Sequence, residues 1–409
     1  MTVVHYPVKE ASKAGIRLVD PACTPHLRKT VAADRRWSIN GDFTTLQPTG
    51  VARYAREVTI ALDRLVAEEH PLTENLDLDL IVPRPLGEGL ALGAIPVKLV
   101  PEFNRPRLPQ VWNQLQLPRY VEGGLVSFCN LAPVSVKRQI VCIHDLHTRL
   151  MPESYGRFFR LAHRIILPLL GRRAAHITTV SELSRSHLVR FGIAGAEKIT
   201  VTYNGSDHVN RWESSRSGIA PRSGRPYVLC LGRNQEYKNV ALLIRLAPML
   251  DALGLDLWMA GEIDERSISR HAPAMPANLC LLGRISDGAF KAALEGALCF
   301  LFPSRIEGFG LPAVEAMATG CPVIASTSPC LPEVCGDGAL YADPDRPDEW
   351  TSQVRRLRDN ASFRADLIAA GRARALAYSW RGIAEHYLRL MADLDRNIPL
   401  LAAGTVRPF

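Results

Sequence analysis

The chain has 409 residues, of which 22% are charged and 47% hydrophobic, and its 49 Lys and Arg against 41 Asp and Glu give a net charge of +8. At roughly 100 to 200 residues per domain, this length predicts two domains. The composition excludes a disordered chain, a collagen-like repeat and a small disulfide scaffold. Residues 1–200 hold 26 basic and 18 acidic residues, whereas residues 201–409 hold 23 of each. Halves of different charge indicate two different partners.

The cysteine and hydropathy patterns indicate a reduced, non-membrane-spanning protein. Nine cysteines are scattered without a CxxC pair, so neither a zinc site nor a disulfide framework is expected. No apolar stretch approaches the 18 or more residues of a membrane-spanning helix, and the first residues show no secretory signal pattern. We therefore expect a cytoplasmic protein.

Short apolar runs alternate with longer helical patterns along most of the chain, which is typical of parallel βαβ units. In the first half, the predicted strands are Arg36 to Asn40, Leu78 to Val82, Gln139 to His144 and His176 to Val180, and the predicted helices are Val51 to Glu69, Tyr155 to Arg173 and Glu182 to Phe191. In the second half, the predicted strands are Tyr227 to Leu231, Leu255 to Ala260, Leu279 to Leu282, Cys299 to Phe302 and Pro322 to Ala325, and the predicted helices are Asn239 to Ala252, Asp287 to Glu295 and Pro312 to Thr319.

The domain boundary is predicted from a polar stretch without apolar periodicity, residues 206–226, which we interpret as a linker. It separates a first domain, residues 1–205, from a second domain, residues 227–378. Residues 1–34 lack a strong pattern and are expected to form a loose arm, while residues 379–409 form a last amphipathic helix and a tail that we expect to cross back to the first domain. Ligands of such α/β domains bind beyond the carboxyl ends of the strands, so the site is expected between the domains.

The most informative segment runs from a strand at Phe302 into a helix at Pro312, through the sequence Glu307-Gly308-Phe309-Gly310-Leu311. Pro at the first helical position and Gly320 just past the end mark the helix clearly. Its amino terminus offers free N–H groups and the positive end of the helix dipole, and the glycines allow a ligand to approach closely. This arrangement predicts a site for an anion, most plausibly a phosphate.

Two carboxylates, Glu307 and Glu315, flank this anion site. Both could not contact a phosphate without repulsion, so we expect them to accept hydrogen bonds from hydroxyl groups, which suggests a sugar nucleotide. The alternative is an ordinary strand-to-helix turn with two solvent-facing glutamates. On a neighbouring strand-to-helix loop, Arg233 and Lys238 are placed to neutralise a diphosphate without a metal, the alternative being two solvated surface cations.

Two features of the first half face the same region. His144 follows a buried strand and could take a hydrogen-bonding or proton-transfer role, although a histidine at a strand end is more often structural. Gly50 opens the first long helix and would let its amino terminus approach a phosphate, the alternative being a simple helix start.

These segments together resemble the retaining glycosyltransferases of family 4, which have the GT-B architecture of two Rossmann-like, doubly wound parallel-sheet domains facing across a cleft. The resemblance covers the chain from about Trp37 to the final helix. Its most specific element is the pair of glutamates in Glu307-Gly308-Phe309-Gly310-Leu311-Pro312 and Glu315. The segments His144-Asp145, residues 179–184, residues 204–207, and Arg233 to Lys238 also match.

The resemblance implies a role for each matching residue. Glu307 and His144 would form the catalytic centre, with Glu307 and the N–H groups of Gly308 and Phe309 holding the transferred sugar and His144 beside it. The residues expected to bind the rest of the donor are Arg233, Lys238, Gly310 and Leu311 at the diphosphate, Glu315 at the ribose, Arg284 and Ile285 at the base, and Gly50 at the phosphates from the other domain.

The first loop has a single glycine followed by Arg53-Tyr54, which resembles a subgroup with many mannosyl- and rhamnosyltransferases of bacterial surface polysaccharides. The implied reaction transfers a sugar from a nucleotide-diphosphate donor to a glycan or polyprenyl-diphosphate-linked acceptor with retained configuration, without a cofactor or metal. GDP-mannose is the first candidate donor, followed by UDP- and dTDP-sugars.

Several alternatives stay open at this stage. The pairs Asp77/Asp79 and Asp343/Asp345 resemble metal-binding motifs, but we expect the first pair to face solvent and the second lies in a Pro-rich loop. A sugar-nucleotide epimerase or phosphorylase of the same architecture, and a non-catalytic binding protein, are the rival functions. The basic residues between Arg149 and Arg190 show no nucleic-acid-binding pattern. With their apolar neighbours they predict contact with an anionic membrane on its cytoplasmic face, the alternative being a core-facing helix with a solvated Arg face.

Overall fold

The computed structural model describes residues 16–18, 35–47, 49–87, 89–103, 109–215, 219, 224–272 and 274–396. It contains two parallel sheets, each carrying helices. This confirms the predicted architecture of two Rossmann-like domains.

The first sheet has eight strands in the order β1-β4-β3-β2-β5-β6-β7-β8, all paired in parallel. The strands are β1 Ile16–Leu18, β2 Arg35–Asn40, β3 Leu76–Val82, β4 Val97–Leu99, β5 Gly124–Ser127, β6 Gln139–Cys142, β7 His176–Thr179 and β8 Ile199–Val201. The accompanying helices are α1 Gly50–Ala67, α2 Pro109–Val111, α3 His147–Leu150, α4 Arg157–Arg173 and α5 Glu182–Arg190.

The second sheet has six parallel strands in the order β11-β10-β9-β12-β13-β14. They are β9 Tyr227–Leu231, β10 Asp256–Ala260, β11 Leu279–Gly283, β12 Phe300–Phe302, β13 Val323–Ser326 and β14 Ala339–Ala342. The helices are α6 Val240–Ala252, α7 Glu265–Ile268, α8 Asp287–Gly296, α9 Leu311–Thr319, α10 Cys330–Cys335, α11 Pro347–Asp359, α12 Ala361–Leu376 and α13 Trp380–Asp395.

In each sheet the strand order runs outward in both directions from one central strand. β2 lies between β3 and β5, and β9 lies between β10 and β12. These are the switch points at which helices diverge to opposite faces and leave room for a ligand. Helix α1 follows β2, and the loop between Phe302 and Leu311 follows β12, so the two glycine-bearing loops both leave the sheets beside a switch point.

The last helix, α13, lies against α1 of the first half. The hydroxyl group of Tyr387 is 2.9 Å from that of Tyr54 and 2.7 Å from Thr178 Oγ1. Near the end of the helix, Asp395 accepts hydrogen bonds from Arg35 Nε at 2.7 Å and Trp37 Nε1 at 2.8 Å. The chain therefore leaves the first half before β9 and returns to it after α12.

Most of the predicted arm at residues 1–34 lies outside the described residues, apart from β1, which pairs with β4. In the predicted linker, residues Asp207–Arg211 form a 3-10 helix, while residues 216–218 and 220–223 lie outside the described part. Among the described residues, no helix combines the length and apolar character needed to span a membrane.

Candidate active site between the two domains

The loop before α9 is shaped by its glycines. Gly310 adopts a left-handed conformation with φ of 93°, and a Cβ there would lie 2.6 Å from Leu331 Cδ2, so a larger residue would be strained. Pro312 follows in the first turn of α9, where its missing N–H leaves no intrahelical bond unmade. The buried Phe309 ring contacts Tyr378 edge-on at 5.4 Å between centroids and so anchors the loop.

The same loop meets the first domain at Gly308. Its carbonyl oxygen accepts hydrogen bonds from Ser181 Oγ at 2.6 Å and Ser184 Oγ at 3.3 Å. A Cβ added to Gly308 would lie 3.2 Å from the His144 carbonyl oxygen and 3.3 Å from Asp145 Cβ. The structure thus brings the predicted Glu307–Leu311 loop against the predicted His144-Asp145 segment.

Glu307 and Lys238 form an ion pair, with Lys238 Nζ 2.6 Å from Glu307 Oε1 and both side chains less than one-fifth exposed. Lys238 ends a short 3-10 turn, and the next residue, Asn239, has a left-handed conformation with φ of 57°. The Asn239 side chain donates to Pro303 O at 3.3 Å and Pro344 O at 2.7 Å, which fixes this turn on the loop after β12.

Arg233 lies in the same loop as Lys238, between β9 and α6, and makes no hydrogen bond or ion pair with any described residue. It is near Tyr237, whose pKa is raised by burial and by the Glu307 charge, so the phenol stays protonated near neutral pH. The Tyr237 ring faces His147 of the first half at 5.2 Å between centroids. Two cations, the unpaired Arg233 and the paired Lys238, therefore act on Tyr237.

Glu315 lies in α9, and its side chain is only 6% exposed. Its Oε1 is 2.9 Å from His208 Nε2 and 3.5 Å from Arg53 Nε. The Arg53 guanidinium also donates to both carboxylate oxygens of Asp287, at 3.0 and 2.6 Å. Arg53 therefore links α1 of the first domain to α8 and α9 of the second.

His144 is buried, two residues beyond the end of β6. Its Nε2 is 2.8 Å from the Phe128 carbonyl oxygen, and its ring contacts the Tyr54 ring edge-on at 4.9 Å between centroids. Burial acts to lower the pKa of His144, but the contacts with Cys142 and Phe128 raise it by more. The ring is held inside the first domain, and the carbonyl of His144 is the atom near Gly308.

Of the remaining predicted residues, Gly50, Arg284 and Ile285 come from other segments, and Leu311 begins α9. Gly50 is exposed at the start of α1, and no heavy atom lies within 4 Å of a Cβ built on it. Arg284 pairs with Glu262 at 2.9 Å, with both side chains more than half exposed. Ile285 and Leu311 pack against the main hydrophobic core. Gly50 and Arg284 are therefore exposed to solvent.

Three residues of the site were not singled out in the sequence, namely His208, Asp287 and Trp380, and Arg53 was named only as part of the first-loop pattern. Arg53 has a signal, since it lies one helical turn after Gly50 and shares its orientation toward the second domain. His208 lies in the segment interpreted as a linker, where no periodicity indicates a contact. Its partners come from distant parts of the chain, at Glu315 and Trp380.

The two acidic pairs resembling metal-binding motifs differ from expectation in one respect. Asp77 is exposed, but Asp79 is half-buried rather than facing solvent, and burial raises its pKa. Asp345 forms an ion pair with Arg305, with Arg305 Nη1 3.0 Å from Asp345 Oδ2. Within the described residues, no group of three or more His, Cys, Asp or Glu side chains is arranged to hold a metal ion.

Comparison with known proteins supports a sugar-transferring family. Residues 213–374 match the model of the family described as glycosyl transferases group 1. The chain is 27% identical over 229 residues to the O-antigen chain mannosyltransferase RfbU of Salmonella typhimurium, covering 54% of this chain and 61% of the relative. It is 29% identical over 284 residues to O-antigen chain mannosyltransferase B of Escherichia coli, covering 66% of this chain and 74% of the relative.

The fold is also that of solved proteins. Sucrose-phosphate synthase from Thermosynechococcus elongatus superposes with a TM-score of 0.66 at 16% identity, covering 89% of this chain and all of the other. The aligned part spans less than two thirds of the Salmonella relative, so similarity in sequence extends over part of that protein. The chain is therefore similar to the group 1 glycosyl transferases over residues 213–374, and its two Rossmann-like domains have the GT-B architecture.

Proposed function

We propose that this protein is a retaining glycosyltransferase of family 4 that moves mannose from GDP-mannose to a glycan or polyprenyl-diphosphate-linked acceptor in surface polysaccharide biosynthesis. The observation that carries the proposal is the meeting of the Glu307–Leu311 loop with the His144-Asp145 segment across the two domains. The two O-antigen mannosyltransferase relatives favour mannose and a polysaccharide acceptor.

The donor diphosphate would lie at the amino terminus of α9, where the free N–H groups of its first turn and the helix dipole favour an anion. Arg233 and Lys238 supply two positive charges at the same place, so charge neutralisation needs no metal ion. When Lys238 turns toward the phosphate, Glu307 loses its present partner and becomes available to the hydroxyl groups of the sugar.

The sugar would then lie between Glu307 and the carbonyl side of the His144-Asp145 segment. Asp145 Oδ2 lies 3.4 Å from a Cβ built on Gly308, and Glu307 is the residue before Gly308. Each carboxylate can accept hydrogen bonds from sugar hydroxyls or stabilise positive charge at the anomeric carbon. The acceptor would enter from the first domain and attack from the face that the diphosphate leaves. Contact of Ser181 and Ser184 with Gly308 keeps the domains together and excludes water from this space.

The test is acceptor-dependent release of nucleoside diphosphate from GDP-mannose, with UDP-glucose and dTDP-rhamnose as competing donors. The anomeric configuration of the product, measured by NMR from its one-bond C–H coupling, distinguishes retention from inversion. Turnover that persists in EDTA is expected, because the cations already present serve the diphosphate. A donor epimerised without acceptor, or phosphorolysis of the glycan, would favour the rival enzymes, and donor binding without turnover would favour a binding protein.

The exposed face of α4 supports docking of the first domain on an anionic membrane. Phe158 is 90% exposed, and Leu161 and Ile165 are each 54% exposed. Exposed arginines flank them on the same helix, at positions 157, 164, 172 and 173. Apolar side chains that enter the interface, together with cations that pair with lipid phosphates, would place the acceptor side of the protein near lipid-linked acceptors.

Co-sedimentation with vesicles of phosphatidylglycerol and phosphatidylcholine tests this docking. Wild-type protein is expected to bind at low salt and to be released as salt is raised. Phe158→Ser should reduce binding several-fold, whereas Leu376→Ser, at a leucine of α12 that is 82% exposed, should leave it unchanged. Equal binding to uncharged vesicles, or equal loss in the two variants, would contradict the assignment of α4.

A further inference from the structure

Both crossings of the chain between the domains meet beside Glu315. The first crossing includes Ser206 and His208, and the second includes Tyr378 and Trp380. Ser206 N donates to Tyr378 O at 2.9 Å, and Trp380 N donates to Asp207 Oδ1 at 2.9 Å. The two crossings are therefore bonded to each other where they pass the donor side of the site.

The side chains of the two crossings continue this connection to Glu315. Trp380 Nε1 is 2.9 Å from His208 Nδ1, and His208 Nε2 is 2.9 Å from Glu315 Oε1. An indole N–H can only donate, so His208 Nδ1 accepts and carries no proton. The hydrogen of the neutral ring is then on Nε2, which donates to Glu315. Trp380, His208 and Glu315 thus form one directed series of hydrogen bonds.

This series engages only one oxygen of the carboxylate. The hydrogen bond from His208 ends on Oε1, and the closest approach of Arg53 is to the same atom at 3.5 Å. Glu315 Oε2 makes no hydrogen bond with any described residue. His208 is only 1% exposed. Rotation of its ring would break the hydrogen bonds to both Trp380 and Glu315.

We propose that Trp380 and His208 are positioning residues that hold Glu315 by Oε1 and so present Oε2 to a ribose hydroxyl of the donor nucleotide. This rests on the proposed function and on the ribose contact that the family resemblance implies for Glu315. Neither residue touches the reacting atoms; they act through the orientation of the carboxylate. Because they belong to the two crossings, the ribose contact is made by the same segments that join the domains.

The experiment compares GDP with 2′-deoxy-GDP and 3′-deoxy-GDP by isothermal titration calorimetry. Wild-type protein should bind GDP about tenfold or more tightly than the analogue lacking the contacted hydroxyl, as expected for a hydrogen bond to a charged group. Trp380→Phe and His208→Asn should bring this ratio close to one, with affinity for that deoxy analogue unchanged. The donor KM should rise by the same factor, and kcat should stay the same.

His208→Gln is the matched control. The terminal amide nitrogen of Gln can occupy the place of Nε2 and donate to Glu315, whereas that of Asn corresponds to Nδ1 and cannot reach it. Gln should therefore retain most of the discrimination that Asn loses. If Trp380→Phe strongly lowers the thermal midpoint of unfolding, the comparison of His208→Asn with His208→Gln still tests the proposal. Both of these variants lack the imidazole ring, so they differ only in the reach of the amide.

Two results would overturn the proposal, and they differ from failure of the proposed function. If Glu315→Gln loses discrimination while His208→Asn and Trp380→Phe keep it, the carboxylate binds ribose without these positioning residues. If His208→Asn weakens GDP and both analogues equally, His208 supports the fold and not the ribose contact. If Glu315→Gln itself keeps the wild-type discrimination, the ribose assignment of Glu315 fails, and the donor site of the proposed function fails with it.

Discussion

The two sides of the site are built in different ways. On the second domain, one strand, one loop and one helix, residues 300–319, carry both glutamates and the glycines, and the main partner of Glu307 is Lys238 of a neighbouring loop. On the first domain, the site is assembled from separate segments, in which Tyr54, His144 and Tyr387 pack on one another. The side proposed to bind the donor is therefore a local motif of charges and N–H groups, and the side proposed to bind the acceptor is assembled by packing.

The largest effect is expected at the local motif. Glu307→Gln should lower kcat about 100-fold or more, because a neutral amide cannot stabilise the charge that develops at the anomeric carbon. Binding of GDP should change less, since Lys238 is then released from its ion pair. Steady-state kinetics with titration calorimetry measures both quantities. Glu68→Gln, at a half-exposed glutamate paired with Arg381, should leave both unchanged. An unchanged kcat for Glu307→Gln would refute its role at the sugar.

Two glycine substitutions compare the sides directly. Gly308→Ala should lower kcat/KM about tenfold or more, because the new methyl group would be 3.2 Å from His144 O and would push the domains apart. Gly50→Ala should change kcat/KM less than threefold, since a Cβ there meets nothing within 4 Å. It should also raise the free energy of unfolding by up to about 1 kcal/mol, because alanine favours the helix. If both variants lost kcat/KM equally, the proposed difference between the two sides of the site would be wrong.

Substitution of Arg53 tests the contact between the two domains, because Arg53 of α1 reaches Asp287 and Glu315 of the second domain. Arg53→Lys cannot contact both oxygens of Asp287 while remaining beside Glu315, so the donor KM should rise roughly three- to tenfold with little change in kcat. Asp287→Asn should reproduce part of this rise. Arg56→Lys, on an exposed arginine of the same helix, serves as the control and should be neutral. A kcat effect larger than the KM effect would place Arg53 at the chemistry instead.

The packed first side should also respond to pH. His176 of β7 and His386 of α13 have pKa values lowered to about 4, mainly by burial, from an ordinary 6.5. The unfolded chain therefore binds more protons below pH 6.5, and stability is lost as the pH falls from 6.5 toward 4. Each histidine should reduce the free energy of unfolding by about 2 kcal/mol between pH 7 and pH 5.

Urea denaturation at several pH values measures this dependence. His386→Asn should flatten the curve between pH 7 and pH 5, whereas His271→Asn, at an exposed histidine of the second half, should leave it as in the wild type. If His386→Asn shows the wild-type curve, the acid sensitivity comes from other groups.

The same contrast explains what could be predicted from the sequence. The strand-to-helix segments of both domains were predicted because their periodicity is local, and β9 was predicted at Tyr227–Leu231, where it occurs. The short strands β1, β4, β5, β8 and β14 were missed, since three or four residues inside a parallel sheet carry little periodic signal. The Glu307–Glu315 segment was recognised from its residues alone.

The ion pairs and hydrogen bonds of the site could not be predicted in the same way. Lys238 and Glu307 were assigned to different parts of the donor, the diphosphate and the sugar, yet they contact each other, because their loops leave adjacent strands β9 and β12. His208 and Trp380 are 172 residues apart in sequence and meet only because the chain crosses between the domains twice. Contacts of this kind depend on the tertiary arrangement, which no local pattern specifies.

The return of α13 to α1 has a consequence for dissecting the protein. Expression of residues 1–205 alone would leave the hydroxyl of Tyr54 without Tyr387, and Arg35 and Trp37 without Asp395, on an uncovered apolar surface. That fragment should aggregate. Two co-expressed fragments divided between residues 215 and 224 should instead reassemble, because the second would carry the helix that covers the first. Chimaeras that exchange donor specificity should accordingly keep α13 with the domain it covers, and not with the domain that precedes it in sequence.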